Sequence, residues 1–295
     1  MLEGPLIDIG LPAALFLIMI GMGLTLTPKD FREVLIAPRA TFYGLLAQVL
    51  LLPVFAFGLA LLLGLGPAMA VGLVIIAACP GGTTSNIFAY LGGGDVALSV
   101  ILTVLASLCS IVSLPLFTSW AMQYFNDTAV AFEMPVLRTI IALLVVVVVP
   151  LLIGMSMRKW APRAAALGER AVGVFGLLVL VLVIVAIMMQ LGDRIITLAS
   201  QGSLAAIALN VVGLALGMVG GRIAGLSQRE AFTVAIELGI KNGTVGLMIT
   251  LSILHDSEMS VPSAVYGVMM FLFGFLMIVL ARKLGLTRQA SGSSA

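Results

Sequence analysis

Apolar runs alternate with short polar stretches along the whole chain, and no run shows the in-out alternation of a strand. An α-helix needs about 20 apolar residues to cross hydrocarbon, whereas a barrel strand alternates over about half that length. The pattern therefore predicts helices. Nine spanning segments are read, at 6–26, 39–63, 68–91, 95–120, 136–157, 170–191, 200–222, 228–254 and 260–282. Between the first two, Thr27-Pro28-Lys29-Asp30-Phe31-Arg32 starts polar with proline in the first turn, which predicts a short helix lying in the interface. The stretch from Gly285 to Ala295 predicts a disordered tail.

Composition narrows the class further. Of 295 residues, 61% are hydrophobic and 9% charged. A soluble domain carries roughly 25% charged residues, so this chain cannot cover a water-facing surface and takes lipid as its solvent. The first run carries Glu3 and Asp8 instead of a basic leader, which argues against a cleavable signal. Cys79 and Cys109 both fall inside apolar runs and read as small core residues, not a disulfide. His255 is the only histidine, so a metal catalytic centre has little to be built from.

The net charge of +2 is topological, not a nucleic-acid signal. One set of loops and helix ends carries Lys29, Arg32, Arg39, Arg158, Lys159, Arg163, Arg170, Arg222, Arg229, Arg282, Lys283 and Arg288; the opposite set has Arg138 and Arg194. Basic loops stay in the cytoplasm, which predicts the N-terminus outside and the C-terminus inside. The expected location is a bacterial inner membrane. Nothing calls for an obligate protein partner.

Two segments break the helical pattern. The third reads Cys79-Pro80-Gly81-Gly82-Thr83-Thr84-Ser85-Asn86. Proline removes a helix donor, two glycines permit extended angles, and the residues that follow are good caps for a second half-helix. A simple proline kink is the bland alternative. The eighth reads Glu237-Leu238-Gly239-Ile240-Lys241-Asn242-Gly243-Thr244. An ion alone at bilayer depth costs about 3 kcal/mol, although Glu237 and Lys241, four residues apart, could neutralise one another on one helix face. Each segment is the middle member of a three-span group, and the groups run in opposite directions. That is the arrangement of an inverted repeat with broken helices crossing at the midplane, where transporters bind cargo. Half-helix N-termini there suit an anion, and freed carbonyls with oxygen side chains suit a hard cation.

At these residues the chain resembles the bile acid:sodium symporter family. Pro80-Gly81-Gly82-Thr83-Thr84-Ser85-Asn86, Tyr90-Leu91 and Asp95-Val96-Ala97-Leu98-Ser99 are similar to its first crossover signature. Glu237-Leu238-Gly239-Ile240-Lys241-Asn242 is similar to the second, where the family usually has glutamine in place of Lys241. Gly21-Met22-Gly23-Leu24-Thr25-Leu26, Asp30-Phe31 and Gln48 ahead of Pro53 fit as well. The resemblance implies a nine-span form with a panel (1–38 with its interfacial helix, and 121–199) and a core (39–120 and 200–284), followed by the tail 285–295. Alternating access would come from rocking of panel against core. It implies a first sodium site at Ser85, Asn86, Ser99, Thr103 and Glu237. It implies a second at Gln48, Glu237, the carbonyls near Leu238 and Ile240, and the residue at 241. Spacing independently places Ser99 and Thr103 on one helix face.

Lysine at 241 departs from that pattern. Two cations about 4 Å apart repel by roughly 4 kcal/mol at an effective dielectric of 20, so Lys241 is expected to replace the second sodium. A buried lysine can also give up its proton, which keeps proton coupling open as an alternative. For the anion the candidates are Thr83, Thr84, Asn242 and Lys241. Met270-Phe271 stands where some bacterial relatives carry His-Asn, which predicts a more apolar pocket. The function expected is symport of a small organic anion, bile acid-like or a keto or hydroxy acid, with sodium. An intramembrane enzyme would need a nucleophile beside Glu237 and Lys241, and a channel a continuous polar stripe; neither stands out.

Overall fold

The computed structural model describes residues 6–27, 37–125, 135–192 and 194–286. Among them the chain is helical throughout, with a single antiparallel bridge between Gly81 and Lys241. We number the helices α1 (Ile7–Thr25), α2 (Pro38–Leu62), α3 (Pro67–Ala78), α4 (Thr83–Leu91), α5 (Val96–Phe125), α6 (Val136–Trp160), α7 (Pro162–Leu191), α8 (Ile196–Ile223), α9 (Gln228–Gly239), α10 (Gly243–Ile253) and α11 (Ser257–Lys283). Seven of them, α1, α2, α5, α6, α7, α8 and α11, are long and apolar enough to cross a membrane. The other two apolar segments are interrupted, each divided into two shorter helices: α3 with α4, and α9 with α10. Of the expected interfacial helix only Thr27 is described, and beyond Leu286 the tail also lies outside the described residues.

Local chemistry accounts for the helix ends. Ser227 and Glu230 form a reciprocal capping box at the start of α9, and the Asp256 carboxylate accepts from the backbone of Glu258 and Met259 at the start of α11. Widened π-helical turns at Ala47–Leu51 in α2 and Leu144–Val148 in α6 sit just ahead of Pro53 and Pro150. Proline lacks the donor that would close the normal turn there.

With lipid on the outside, helices gain little from hiding apolar groups and instead pack closely at small residues. Gly23 of α1 and Gly154 of α6 meet so closely that a Cβ on Gly23 would lie 2.3 Å from the Leu151 carbonyl oxygen. Gly21 of α1 fits against Val172 of α7. Elsewhere Gly72 of α3 lies on the Met259 carbonyl of α11, and Gly217 of α8 on the backbone of Ala235 in α9. Cys79 is buried and Cys109 partly so; both are free thiols.

The interruptions bring the two broken segments together. The residue before a proline avoids helical angles. Cys79 accordingly turns extended, with φ −61° and ψ 147°, and α3 stops. Ile240 turns extended after α9, at φ −113° and ψ 101°. The two short extended pieces run antiparallel: Gly82 N donates to the Ile240 carbonyl at 3.3 Å, and Asn242 N to the Pro80 carbonyl at 2.9 Å. Each segment thus satisfies backbone groups that the other's break leaves open, which an apolar environment demands.

Candidate functional site

The crossover is lined by polar side chains from four helices. Glu237, fully buried in the last turn of α9, accepts hydrogen bonds from Ser85 of α4 and Ser99 of α5 at one carboxylate oxygen, both at 2.5 Å. Thr103, one turn beyond Ser99, donates to the other oxygen at 2.9 Å. Gly81 explains how the carboxylate fits, since a Cβ there would lie 2.3 Å from Glu237 Oε2.

These hydroxyls have too few protons for their neighbours. Ser85 Oγ also lies 2.7 Å from the Gly82 carbonyl, Thr103 Oγ1 3.0 Å from the Ser99 carbonyl, and Ser99 Oγ 2.9 Å from Asn86 Oδ1. A hydroxyl carries one proton and cannot donate to two acceptors at once. The cluster is therefore oxygen-rich and proton-poor, a composition that suits a hard cation. Among the described residues no group of three or more His, Cys, Asp and Glu stands together, so a transition-metal centre is not what these donors form. Ser85, Asn86, Ser99, Thr103 and Glu237, five positions spread over 153 residues of chain, are all brought together.

The remaining candidates fare differently. Lys241 is buried, and its ammonium donates to the Cys79 carbonyl at 3.1 Å, the carbonyl at the open end of α3. It makes no ion pair with Glu237, so the idea that the two neutralise each other across one helical turn gives way to a contact between the two broken segments. The Ile240 carbonyl accepts from Gly82 N, and the Leu238 carbonyl lies 3.4 Å from the Tyr266 hydroxyl. Gln48 is 2% exposed, and neither its amide nitrogen nor its amide oxygen has a partner. Its Nε2 reaches to 3.5 Å from where a Gly81 Cβ would be.

Thr83, Thr84, Asn86, Lys241 and Asn242 line a cavity of about 610 Å³ with Met270 and Phe271 on its wall. The Asn242 amide oxygen caps α10, accepting from Val245 N at 3.3 Å. The cavity runs between α1, α6 and α7 on one side and the crossover on the other, toward the end of the bundle that carries Arg158. At the opposite end α1 is tied down: Ser252 Oγ donates to the Ile7 carbonyl at 2.8 Å, and Asp8 lies 3.9 Å from His255.

The chain matches the model of the sodium bile acid symporter family over residues 12–198. It belongs to that family. It is 30% identical over 90% of its length to a "probable sodium/metabolite cotransporter BASS1, chloroplastic" of Arabidopsis thaliana, of which it spans 65%. It is 31% identical over 95% of its length to an "uncharacterized sodium-dependent transporter YocS" of Bacillus subtilis, spanning 85% of it. It is 32% identical over 77% of its length to the human "ileal sodium/bile acid cotransporter", spanning 65% of that protein. The chain thus spans just under two thirds of the length of the Arabidopsis and human relatives. These three relatives carry the names of transporters, not of enzymes, and the seven long apolar helices are those of an integral membrane protein.

Sequence reasoning missed several groups around the crossover. Asn210 of α8 donates to the Gly239 carbonyl at 2.8 Å, and the buried Tyr266 hydroxyl of α11 donates to the same carbonyl at 3.0 Å. They satisfy the carbonyl at the last residue of α9. An amide in mid-span is itself a signal, because polar groups at that depth need a reason. Arg158 in the cavity wall carried no such signal; it reads as one more basic residue in a loop cluster.

Proposed function

We propose that the protein is a sodium-coupled symporter of an organic anion, working by alternating access. The single observation that carries this reading is the cluster of three hydroxyls on the buried Glu237 carboxylate, placed at the crossover beside the cavity. Sodium held by Ser85, Asn86, Ser99, Thr103 and Glu237 would supply the cation that the oxygen-rich cluster lacks. The anion would bind next to it, on Thr83, Thr84 and the Asn242 amide nitrogen, at the N-termini of α4 and α10. Ion and cargo then stabilise each other across a short distance, which is the physical basis of coupling.

In the same reading α3 with α4 and α9 with α10 each cross the membrane once, giving nine crossings and an inverted repeat. Helices α1, α6 and α7 form the panel; the rest form the core. The basic end faces the cytoplasm, so the cavity opens inward and the α1 contacts at Ser252 and His255 close the outside. The names of the relatives support sodium coupling; the cargo is of the organic-acid class.

A second feature favours one sodium ion instead of two. The Lys241 ammonium, donating to the Cys79 carbonyl, would take the place of that second cation, and the Ile240 carbonyl already accepts from Gly82 N. The test is uptake of labelled organic acids into proteoliposomes under an inward sodium gradient, against potassium and proton gradients. Saturable uptake that needs sodium and disappears in Glu237→Gln is expected. Uptake driven equally well by a proton gradient without sodium would overturn the reading.

A further inference from the structure

Among the described residues the cavity has two cationic poles and no acid between them. At one end lies the crossover, with Lys241 and the starts of α4 and α10; toward the other lies Arg158, near the end of α6. Arg158 is half-buried, and among the described residues no hydrogen bond or ion pair holds it. Among the described residues lining the cavity there is no Asp or Glu. An arginine in a concave wall with no internal partner has its planar fork of donors free for a carboxylate or similar group.

The two poles are well separated along the bundle. Leu180 of α7 stands at the level of the crossover, its Cδ1 3.7 Å from where a Gly243 Cβ would be. Val172, eight residues earlier in the same helix, stands against Gly21 of α1, about 12 Å away at 1.5 Å per residue. Gly154 packs on Gly23 nearby, and Arg158 follows one turn further toward the same end. Apart from Thr25 and Tyr90, the rest of the lining is apolar, with Val100, Val172, Leu177, Leu180, Met270 and Phe271 among it. A three- to five-carbon keto acid is too short to touch both ends. In formal charge, Lys241, Arg158 and one bound sodium stand against the single carboxylate of Glu237, which leaves a net charge of two to be met by the cargo.

The geometry points to Arg158 as a second anion-binding point, and to a cargo that is an elongated dianion: an acidic group at each end of an apolar middle. One acid sits on Thr83, Thr84 and Asn242, the other on Arg158. This rests on the symport reading above and narrows its substrate class.

The test uses the purified full-length protein and the rise in its melting temperature with ligand, in sodium and in potassium at equal ionic strength. The probes are the α,ω-dicarboxylates succinate, adipate, suberate and sebacate, with octanoate and decanoate as single-ended controls. In wild type, suberate or sebacate should bind about tenfold more tightly than succinate or the single-ended acid of the same length. Arg158→Gln should remove that tenfold preference while leaving octanoate binding and its sodium dependence intact. Arg158→Lys should retain part of it. A flat chain-length series in wild type, which needs no variant, would overturn the proposal. So would an Arg158→Gln protein in which every acid weakens by one common factor, since that is general electrostatic steering. Sodium-dependent binding of single-ended acids alone removes this inference and leaves the symport reading standing. No sodium-dependent effect of any acid removes both.

Discussion

Replacing Gly81 with alanine adds one methyl group where the two interrupted segments meet. That carbon would lie 2.3 Å from Glu237 Oε2 and 3.3 Å from its carboxyl carbon, with Gln48 Nε2 at 3.5 Å. Comfortable contacts between heavy atoms are about 1 Å longer than the first of these, so something must move by about that much. The Gly81 strand is bonded to its partner on both sides of the bridge, through Gly82 N and the Pro80 carbonyl. The carboxylate is therefore the group that yields. Thr103 donates to that same oxygen at 2.9 Å, and a further ångström takes the contact out of hydrogen-bonding range. Loss of one hydrogen bond to a charged group costs about 1.5–3 kcal/mol, or about ten- to a hundredfold in sodium affinity if these groups hold the ion. The assay is the melting temperature of purified protein as sodium replaces potassium. Gly58→Ala serves as control, because a Cβ there meets nothing within 4 Å. The sodium concentration for half the effect should rise ten- to a hundredfold in Gly81→Ala and stay put in Gly58→Ala. A folded Gly81→Ala protein with unchanged sodium response would refute both the ion's place on Glu237 and the rigidity of the crossover.

Lys241→Gln removes the ammonium beside the Cys79 carbonyl and, with Gln48 already unpartnered nearby, should admit a second cation. If repulsion by the lysine is what keeps a second ion out, the sodium dependence of uptake should steepen from a Hill coefficient of about one to about two. Two sodium ions per cycle in the unmodified protein would defeat that idea. Gly154→Ala would place a Cβ 2.2 Å from the Ile20 carbonyl oxygen and 2.7 Å from Gly23 Cα, both backbone atoms that cannot rotate aside. Forcing α1 and α6 apart should cost about 1–3 kcal/mol and lower the melting temperature, with the sodium response intact. An unaltered melting temperature would show that these helices do not pack so closely.

The interruptions are legible in the amino-acid sequence by itself, because they are decided within a turn or two of chain. Proline at 80 disfavours helical angles at Cys79, and a carboxylate in mid-span at 237 demands partners wherever the fold supplies them. Ser99 and Thr103 share a face by spacing alone. Partnership is another matter. Spacing offers Glu237 as the neighbour of Lys241, since both stand on one helix face if the helix continues. The helix ends at Gly239, the chain turns extended, and the lysine reaches across to Cys79, 162 residues away. In the same way nothing local tells Arg158 from Lys159, yet only Arg158 lines the cavity, because α6 is pinned against α1 at Gly23 and Gly154. Where a helix must stop is a matter of backbone angles and missing donors, and these belong to single residues. Which side chain meets which is a matter of how separate segments pack, and that exists only once the whole bundle has closed.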